Sequence, residues 1–238
     1  MKLPQIPMPS TLSAIAAKNV NIPRATIQRL SVYLQVLESL QHDGVEVISS
    51  EPLAKACDVN ASQIRKDLTY FGEFGVRGVG YNVRNLILSI VQSLGLHKHW
   101  NCVLIGVGNL GKALLSHREF AVRGFNIVGA FDCDPFKIGE EVYGLEVFCT
   151  RRLKERVADL DVRIGIITTP PERAQRAANH LVEVGIKGIL NYAPARIFVP
   201  DDIRVEYVDF FHHLYALSFS ISVQEQVVGG NRLENFEE

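Results

Sequence analysis

Ile27, Leu30, Leu34, Leu37 and Leu40 recur at three- and four-residue intervals, the apolar stripe of an amphipathic helix opened by Pro23 and closed by Gly44. Ser50 then stands where an N-cap belongs, with Pro52 in the first turn, so a short helix is predicted over 52–57. After the turn Asp58-Val59-Asn60, Ser62 is placed to cap a second short helix, with Ile64, Leu68 and Phe71 at i, i+4 and i+7. Gly72, Gly75, Gly78 and Gly80 permit tight turning and mark a hairpin with Arg77 near its tip. Asn82 is placed to cap one more amphipathic helix, striped by Leu86, Ile87, Ile90, Val91 and Leu94, and 96–101 reads as a linker. Two short helices and a hairpin behind a supporting helix make a winged helix-turn-helix pattern.

From residue 102 the pattern changes to short apolar runs alternating with amphipathic ones. A strand over 102–105 meets Gly106-Val107-Gly108-Asn109-Leu110-Gly111, then a helical run over 112–120 and a strand over 126–131 ending in Asp132. Thr150 is placed to cap a helix over 151–158, and a buried strand over 162–168 ends in Thr169-Pro170-Pro171. A helix over 172–184, a strand over 187–191 and a strand over 204–208 ending in Asp209 complete the alternation. Such alternation makes a parallel sheet covered by helices on both faces. The run 210–223 is apolar nearly all round, so it has to be covered on more than one side, by this sheet or by a partner subunit.

The predicted fold class is therefore α/β: an N-terminal winged helix-turn-helix domain, a Rossmann-like parallel-sheet domain and a C-terminal helix. The expected boundaries are an arm over 1–22, a winged-helix domain over 23–85 and a helix with linker over 86–100. A Rossmann domain over 101–209, a dimerisation helix over 210–225 and an acidic tail over 226–238 follow.

Composition narrows the function classes. The 238 residues are 47% hydrophobic and 21% charged, the balance of a globular chain with a full core. No apolar run reaches the ~18 residues of a membrane span and no charged-then-apolar leader opens the chain, so a cytoplasmic protein is expected. Cys57, Cys102, Cys133 and Cys149 form no CxxC pair and read as reduced thiols; no metal site is expected. The formal net charge is −1, but residues 1–85 carry nine Lys/Arg against seven Asp/Glu, while the rest carry sixteen against nineteen. The asymmetry permits a basic face on the first part.

With Ile64, Leu68 and Phe71 turned inward, Arg65, Lys66, Thr69 and Tyr70 lie on or beside the outward face, and these are side chains that reach phosphates and base edges. The candidate duplex contacts are Ser62, Arg65, Lys66, Tyr70, Arg77, Gly78 and Tyr81, with Arg77 suited to a minor groove. A two-fold DNA site also calls for a homodimer, which the terminal helix is expected to help build. In the second half, Gly106 makes the turn, Gly108 admits a pyrophosphate and Gly111 lets helix and strand approach. Asp132, 21 positions after Gly111, is spaced to bond the adenosine ribose hydroxyls. Asp132 and Asp134 repel a 2′-phosphate, so NADH or NAD+ is expected over NADP, with Lys137 pulling the other way. Loop residues Val107, Asn109 and Leu110, and the strand-end residues Thr168, Thr169, Pro170, Asn191 and Tyr192, fall on the cofactor's side.

The stretches IRKDLTYFGEFGVRGVGYNV, IGVGNLG, FDCDPFKIG, GIKGILNYAP and VEYVDF together resemble the Rex family of redox-sensing transcriptional repressors, over nearly all of 23–223. The resemblance implies an NAD(H)-binding homodimer with swapped C-terminal helices. Such a dimer binds a palindromic operator when NADH is low and is released when NADH binds. It assigns Arg65 and Lys66 to the recognition helix, Arg77 to the wing, the three glycines to the pyrophosphate loop and Asp132 to the ribose. Asp209, with Phe210 beside it, matches an acid that helps lock one dimer state. Where some members place a tyrosine and an arginine for that acid, this chain has His117 and Gln35, so a switch sensitive to pH is expected. No catalytic residue is assigned. Two alternatives compete: a nicotinamide-dependent oxidoreductase with a helical extension, and a coenzyme A or nucleotide-binding domain.

Overall fold

A computed structural model describes residues 22–71, 75–76 and 79–233. The chain divides into two compact units between Lys98 and His99.

In the first unit, α1 (Arg24–His42) buries Leu30, Tyr33, Leu34 and Leu37 along the predicted stripe, while Ile27 at its start is exposed. Helices α2 (Ser50–Ala56) and α3 (Ala61–Thr69) pack Leu53, Ile64 and Leu68 into the same core, and α4 (Val83–Ser93) adds Leu86 and Ile90. Three short antiparallel strands, β1 (Val47–Ile48), β2 (Gly75–Val76) and β3 (Gly80–Asn82), form a sheet in the order β1-β3-β2. The β2–β3 pair is the expected hairpin, whereas β1 has no sequence signature because two residues are too few to show a period. The cap of α3 differs from expectation. Asn60 has extended backbone, as an N-cap needs, and its side chain accepts Gln63 N–H at 2.8 Å, while Ser62 lies inside the helix and donates to the same Asn60 oxygen. Likewise α2 starts a residue behind Ser49, so Ser50 is its first turn rather than its cap.

The second unit holds a seven-stranded sheet, β10-β9-β8-β4-β5-β7-β6. Its strands are β4 (Trp100–Ile105), β5 (Phe125–Asp132), β6 (Glu141–Val142), β7 (Leu145–Cys149), β8 (Val162–Ile167), β9 (Gly188–Asn191) and β10 (Arg204–Tyr207). All neighbours are parallel except β6 with β7. The parallel strands run β7-β5-β4-β8-β9-β10, the 3-2-1-4-5-6 order of a doubly wound dinucleotide fold, with the strand order reversing beside β4. Along β4 alternate residues feed opposite layers: Val103 and Ile105 join Ala174 and Leu181, while Cys102 and Leu104 join Ala130 and Val147. That two-sided burial is why the strand reads as an unbroken apolar run.

Strands β6 and β7 were not expected from sequence; both are short, and the turn between them puts Tyr143 and Gly144 at positive φ. The expected helix over 112–120 is two, α5 (Asn109–Ser116) and α6 (Glu119–Val122), because His117 takes extended backbone between them. The expected helix over 151–158 begins as a 3₁₀ turn, Thr150–Arg152, before α7 (Leu153–Val157). Helix α8 spans Pro171–Glu183, and α9 runs Phe210–Leu233, eight residues past the expected end at 225. Among the described residues no helix is long and apolar enough to cross a membrane.

Candidate functional site

On α3, Ser62, Arg65, Lys66 and Thr69 are exposed and Tyr70 is half-buried, as the inward apolar triplet requires. Arg65 donates to Ser50 Oγ at 2.7 Å, fastening the outward face of α3 to the start of α2. Arg77 and Gly78 lie outside the described residues. Tyr81 departs from its expected role: the residue is 8% exposed and packs from β3 into the core of this unit.

The inner side of α3 carries an unexpected ionic centre. Asp67 is fully buried and accepts hydrogen bonds from Thr26 Oγ1 (3.1 Å), Arg29 Nε (2.6 Å) and Nη2 (2.8 Å), Tyr33 Oη (2.8 Å) and Gln63 Nε2 (2.8 Å). Burial by itself pushes the carboxyl up. The bonds from Arg29, Tyr33, Gln63 and Thr26 together outweigh it and hold the group below the usual carboxylate range. Thr26, Arg29 and Tyr33 all belong to α1, so one charge pins α3 to its supporting helix at a fixed rotation. Only the partners' side of this centre is legible in sequence: Thr26, Arg29 and Tyr33 fall at i, i+3 and i+7 on the α1 face that also carries Leu30 and Leu37.

At the carboxyl ends of β4, β5, β7 and β8 opens a cleft of about 490 Å³. Gly106, at φ +106°, turns the chain from β4 into the loop; a side chain there would strike the backbone of Thr168 and Thr169. Gly111 packs so closely on the Gly106 carbonyl that a Cβ would overlap it, whereas a Cβ on Gly108 would meet nothing within 4 Å. The loop is thus closed behind and open in front, where the N-terminal turn of α5 presents its N–H groups.

Asp132 ends β5 against this loop. Its Oδ2 accepts Val107 N–H (2.8 Å) and Lys137 Nζ (3.1 Å), and its Oδ1 accepts the N–H groups of Cys133 (2.8 Å) and Asp134 (3.0 Å). Burial again pushes the carboxyl up, and the bonds from Asp134, Val107 and Lys137 more than reverse it. Four donors fill the roughly four lone-pair sites of a carboxylate, so an incoming hydroxyl has to displace one of them. Lys137, the only side-chain donor among the four, is the one that can move.

Of the other expected cofactor residues, Thr168, Thr169 and Pro170 line the cleft. Val107, Asn109, Leu110 and Gly111 belong to its loop. Asp134 accepts Phe136 N–H at 3.0 Å beside it. Asn191 is buried and spends its amide on its own loop, accepting Ala193 N–H (3.0 Å) and donating to the Ala195 carbonyl (2.9 Å). The Tyr192 ring lies 6.3 Å from that of Phe210, at the start of α9. Arg173, Arg176 and His180 also line the cleft, with Cys133, Cys149 and Arg151. The first three stand three and four apart on α8, a one-face spacing legible in sequence; Cys149 and Arg151 follow the unread strand β7.

The cleft suits an anionic dinucleotide. Lys137, Arg151, Arg173 and Arg176 line it together with one buried carboxylate, and Thr169 Oγ1 and His180 Nε2 are buried with no hydrogen-bond partner among the described residues. His117 and Asp209 are exposed; His117 meets Phe120 edge-on, and Asp209 accepts Phe211 N–H at 2.9 Å, capping α9. From Phe210 to Val223 the large apolar residues of α9 stand open, Phe219 at 72%.

Comparison with known proteins matches residues 21–69 to a family described as "Putative DNA-binding protein N-terminus" and residues 97–195 to one described as "CoA binding domain". The redox-sensing transcriptional repressor Rex of Maridesulfovibrio salexigens is 69% identical over 87% of this chain and 100% of its own length. The crystal structure of RSP in complex with β-NAD+ and operator DNA is 38% identical with a TM-score of 0.82, covering 88% of this chain and 97% of that one. RSP in complex with β-NADH is 36% identical with a TM-score of 0.81, over 88% and 99%.

Proposed function

The chain belongs to the Rex family of redox-sensing transcriptional repressors, and from that premise we infer that it holds a palindromic operator when NADH is low and lets go when NADH binds. It is a regulator, not an enzyme. The observation that carries the reading is one chain joining a winged-helix unit with a cationic face to a dinucleotide cleft, in the span shared with a protein crystallised with NAD+ and operator DNA. Such a repressor works in the cytoplasm, beside the DNA it reads.

Arg65 and Lys66 bind backbone phosphates, with Ser62 and Tyr70 at the margin of the same face and Arg77 and Gly78 at the wing tip. In the cleft, the α5 N-terminus and the open face of Gly108 receive the pyrophosphate, and Asp132 receives the ribose as Lys137 swings off it. A carboxylate at that position opposes the ribose phosphate of coenzyme A and favours NAD(H). Thr168, Thr169 and Pro170 wall the nicotinamide side, and Asn191 and Tyr192 shape the loop behind it. Bound NADH contributes only its difference in affinity between the DNA-holding and DNA-free states.

The bare apolar helix α9 supports a homodimer in which it swaps onto the partner, bringing Asp209 and Phe210 to the interface with His117. Phe219→Asp should convert the dimer to monomer in sedimentation and abolish binding to a full palindrome; a variant still dimeric would remove α9 from the interface. Lys66→Ala should weaken operator binding across sequences and lower the salt slope by about one counterion. Anisotropy titrations at several salt concentrations test this, and an unchanged slope would mean that Lys66 meets no phosphate.

A further inference from the structure

Cys149 follows Cys133 by sixteen positions, and nothing in that spacing joins them. The fold does. They sit at the carboxyl ends of the adjacent parallel strands β5 and β7, where Asp132 is paired in register with Cys149 and Cys133 is the next residue. Strand spacing and rise place their Cα atoms about 6 Å apart, inside the roughly 4.4–6.8 Å that a disulfide spans, and Cys133 sits in a bend past the end of β5, outside the alternation that would turn it from Cys149. Both side chains line the cleft, Cys133 exposed and Cys149 half-buried. Arg173 reaches across from α8 and donates Nη1–H to the Cys133 sulfur at 2.9 Å. An exposed sulfur beside a cation is the setting of an oxidant-sensitive cysteine. Cys57 and Cys102 are the contrast within the same chain: both are buried, and burial pushes each thiol up to about 11.

We propose that Cys133 and Cys149 form an oxidisable dithiol inside the dinucleotide cleft, a second redox input that takes hydrogen peroxide as oxidant and shuts the site to NADH. The proposal rests on reading the cleft as the NAD(H) site. The Cys133 thiolate attacks one peroxide oxygen and the O–O bond breaks. Sulfur gives up two electrons and becomes a sulfenic acid, and the other oxygen leaves as hydroxide and takes a proton to become water. Cys149, giving up its proton, then attacks the sulfenic sulfur; the S–S bond forms and the sulfenic oxygen departs with that proton as a second water. The bridge draws the segment after β5, which carries Lys137, against the end of β7, where Thr150 and Arg151 wall the cleft. Space for the adenosine end is lost. Since NADH has to enter the cleft to release the operator, the oxidised repressor stays on DNA whatever the NADH level.

The test treats the reduced full-length protein with hydrogen peroxide, with and without saturating NADH. It then locates cross-linked peptides under non-reducing conditions and titrates NADH before and after. A Cys133–Cys149 peptide pair should form, NADH should slow its formation, and NADH affinity should fall by about tenfold or more and return with dithiothreitol. Cys149→Ser should halt at the sulfenic acid, captured by dimedone at Cys133. Cys133→Ser should show no peroxide-dependent change in NADH affinity relative to its own untreated sample. Absence of the cross-link, or a cross-link that leaves NADH affinity within about twofold, overturns the proposal. Protein that binds no NADH before oxidation would instead overturn the reading of the cleft.

Discussion

Asp67→Asn should cost the DNA-binding unit about 3–5 kcal/mol, the usual penalty for removing one partner of a buried ion pair. The asparagine has the right size but turns an N–H₂ group toward donors that previously met a carboxylate. The Asp67 side chain is 1% exposed, so no water replaces what is lost, and the Arg29 guanidinium is left facing a neutral group. Urea denaturation should show an earlier midpoint for the first unit, and hydrogen exchange should show α3 losing protection. Tyr33→Phe removes a single bond to the same oxygen and should cost about 0.5–1.5 kcal/mol, a graded control that remains folded. The same network fixes a pH dependence. The folded pKa of Asp67 is depressed, so its contribution is fully present above the unfolded carboxylate value of about 3.9 and is lost as pH falls through the lower folded value. Acid unfolding of the first unit should therefore flatten in Asp67→Asn. An unshifted midpoint together with an unchanged acid limb would contradict the role given to this residue.

Gly111→Ala should weaken NADH binding by roughly ten- to hundredfold, the range that about 1–3 kcal/mol of overpacking produces. Its new methyl group would overlap the Gly106 carbonyl oxygen, a backbone atom already held by Thr168 Oγ1 at 2.6 Å, so the loop yields only by opening. Operator binding in the absence of NADH should persist, because the first unit holds its own core. Calorimetric titration of NADH and anisotropy on the operator separate the two effects; intact NADH affinity would mean that the loop relaxes freely.

How far the sequence could be read depended on the length of each element. The α1 stripe, the inward triplet of α3 and the strand–loop–helix around Gly106 each extend over enough residues to show a period or a fixed spacing, and all appear in the structure. Strands β1 and β6 are two residues long and have no period to show. Missing β7 also hid Cys149, Thr150 and Arg151, and with them one wall of the cleft. Ser62 and Asn60 are both capping residue types, and only backbone geometry selects Asn60. Asp67 sits between Lys66 and Leu68 in a polar stretch, where its depth depends on α1, forty residues earlier and beyond any local pattern. Asp132 was identified by spacing, yet its saturation by Val107, Cys133, Asp134 and Lys137 is visible only in three dimensions.

All of these residues serve a coupling between two ligands, and coupling free energies are reciprocal. The most direct measurement is a pair of titrations on one preparation: palindromic operator into protein at zero and saturating NADH, and NADH into protein with and without operator. Operator affinity should fall with NADH by the same factor by which operator lowers NADH affinity, with NAD+ producing a much smaller change. Equal operator affinity at zero and saturating NADH would contradict the account.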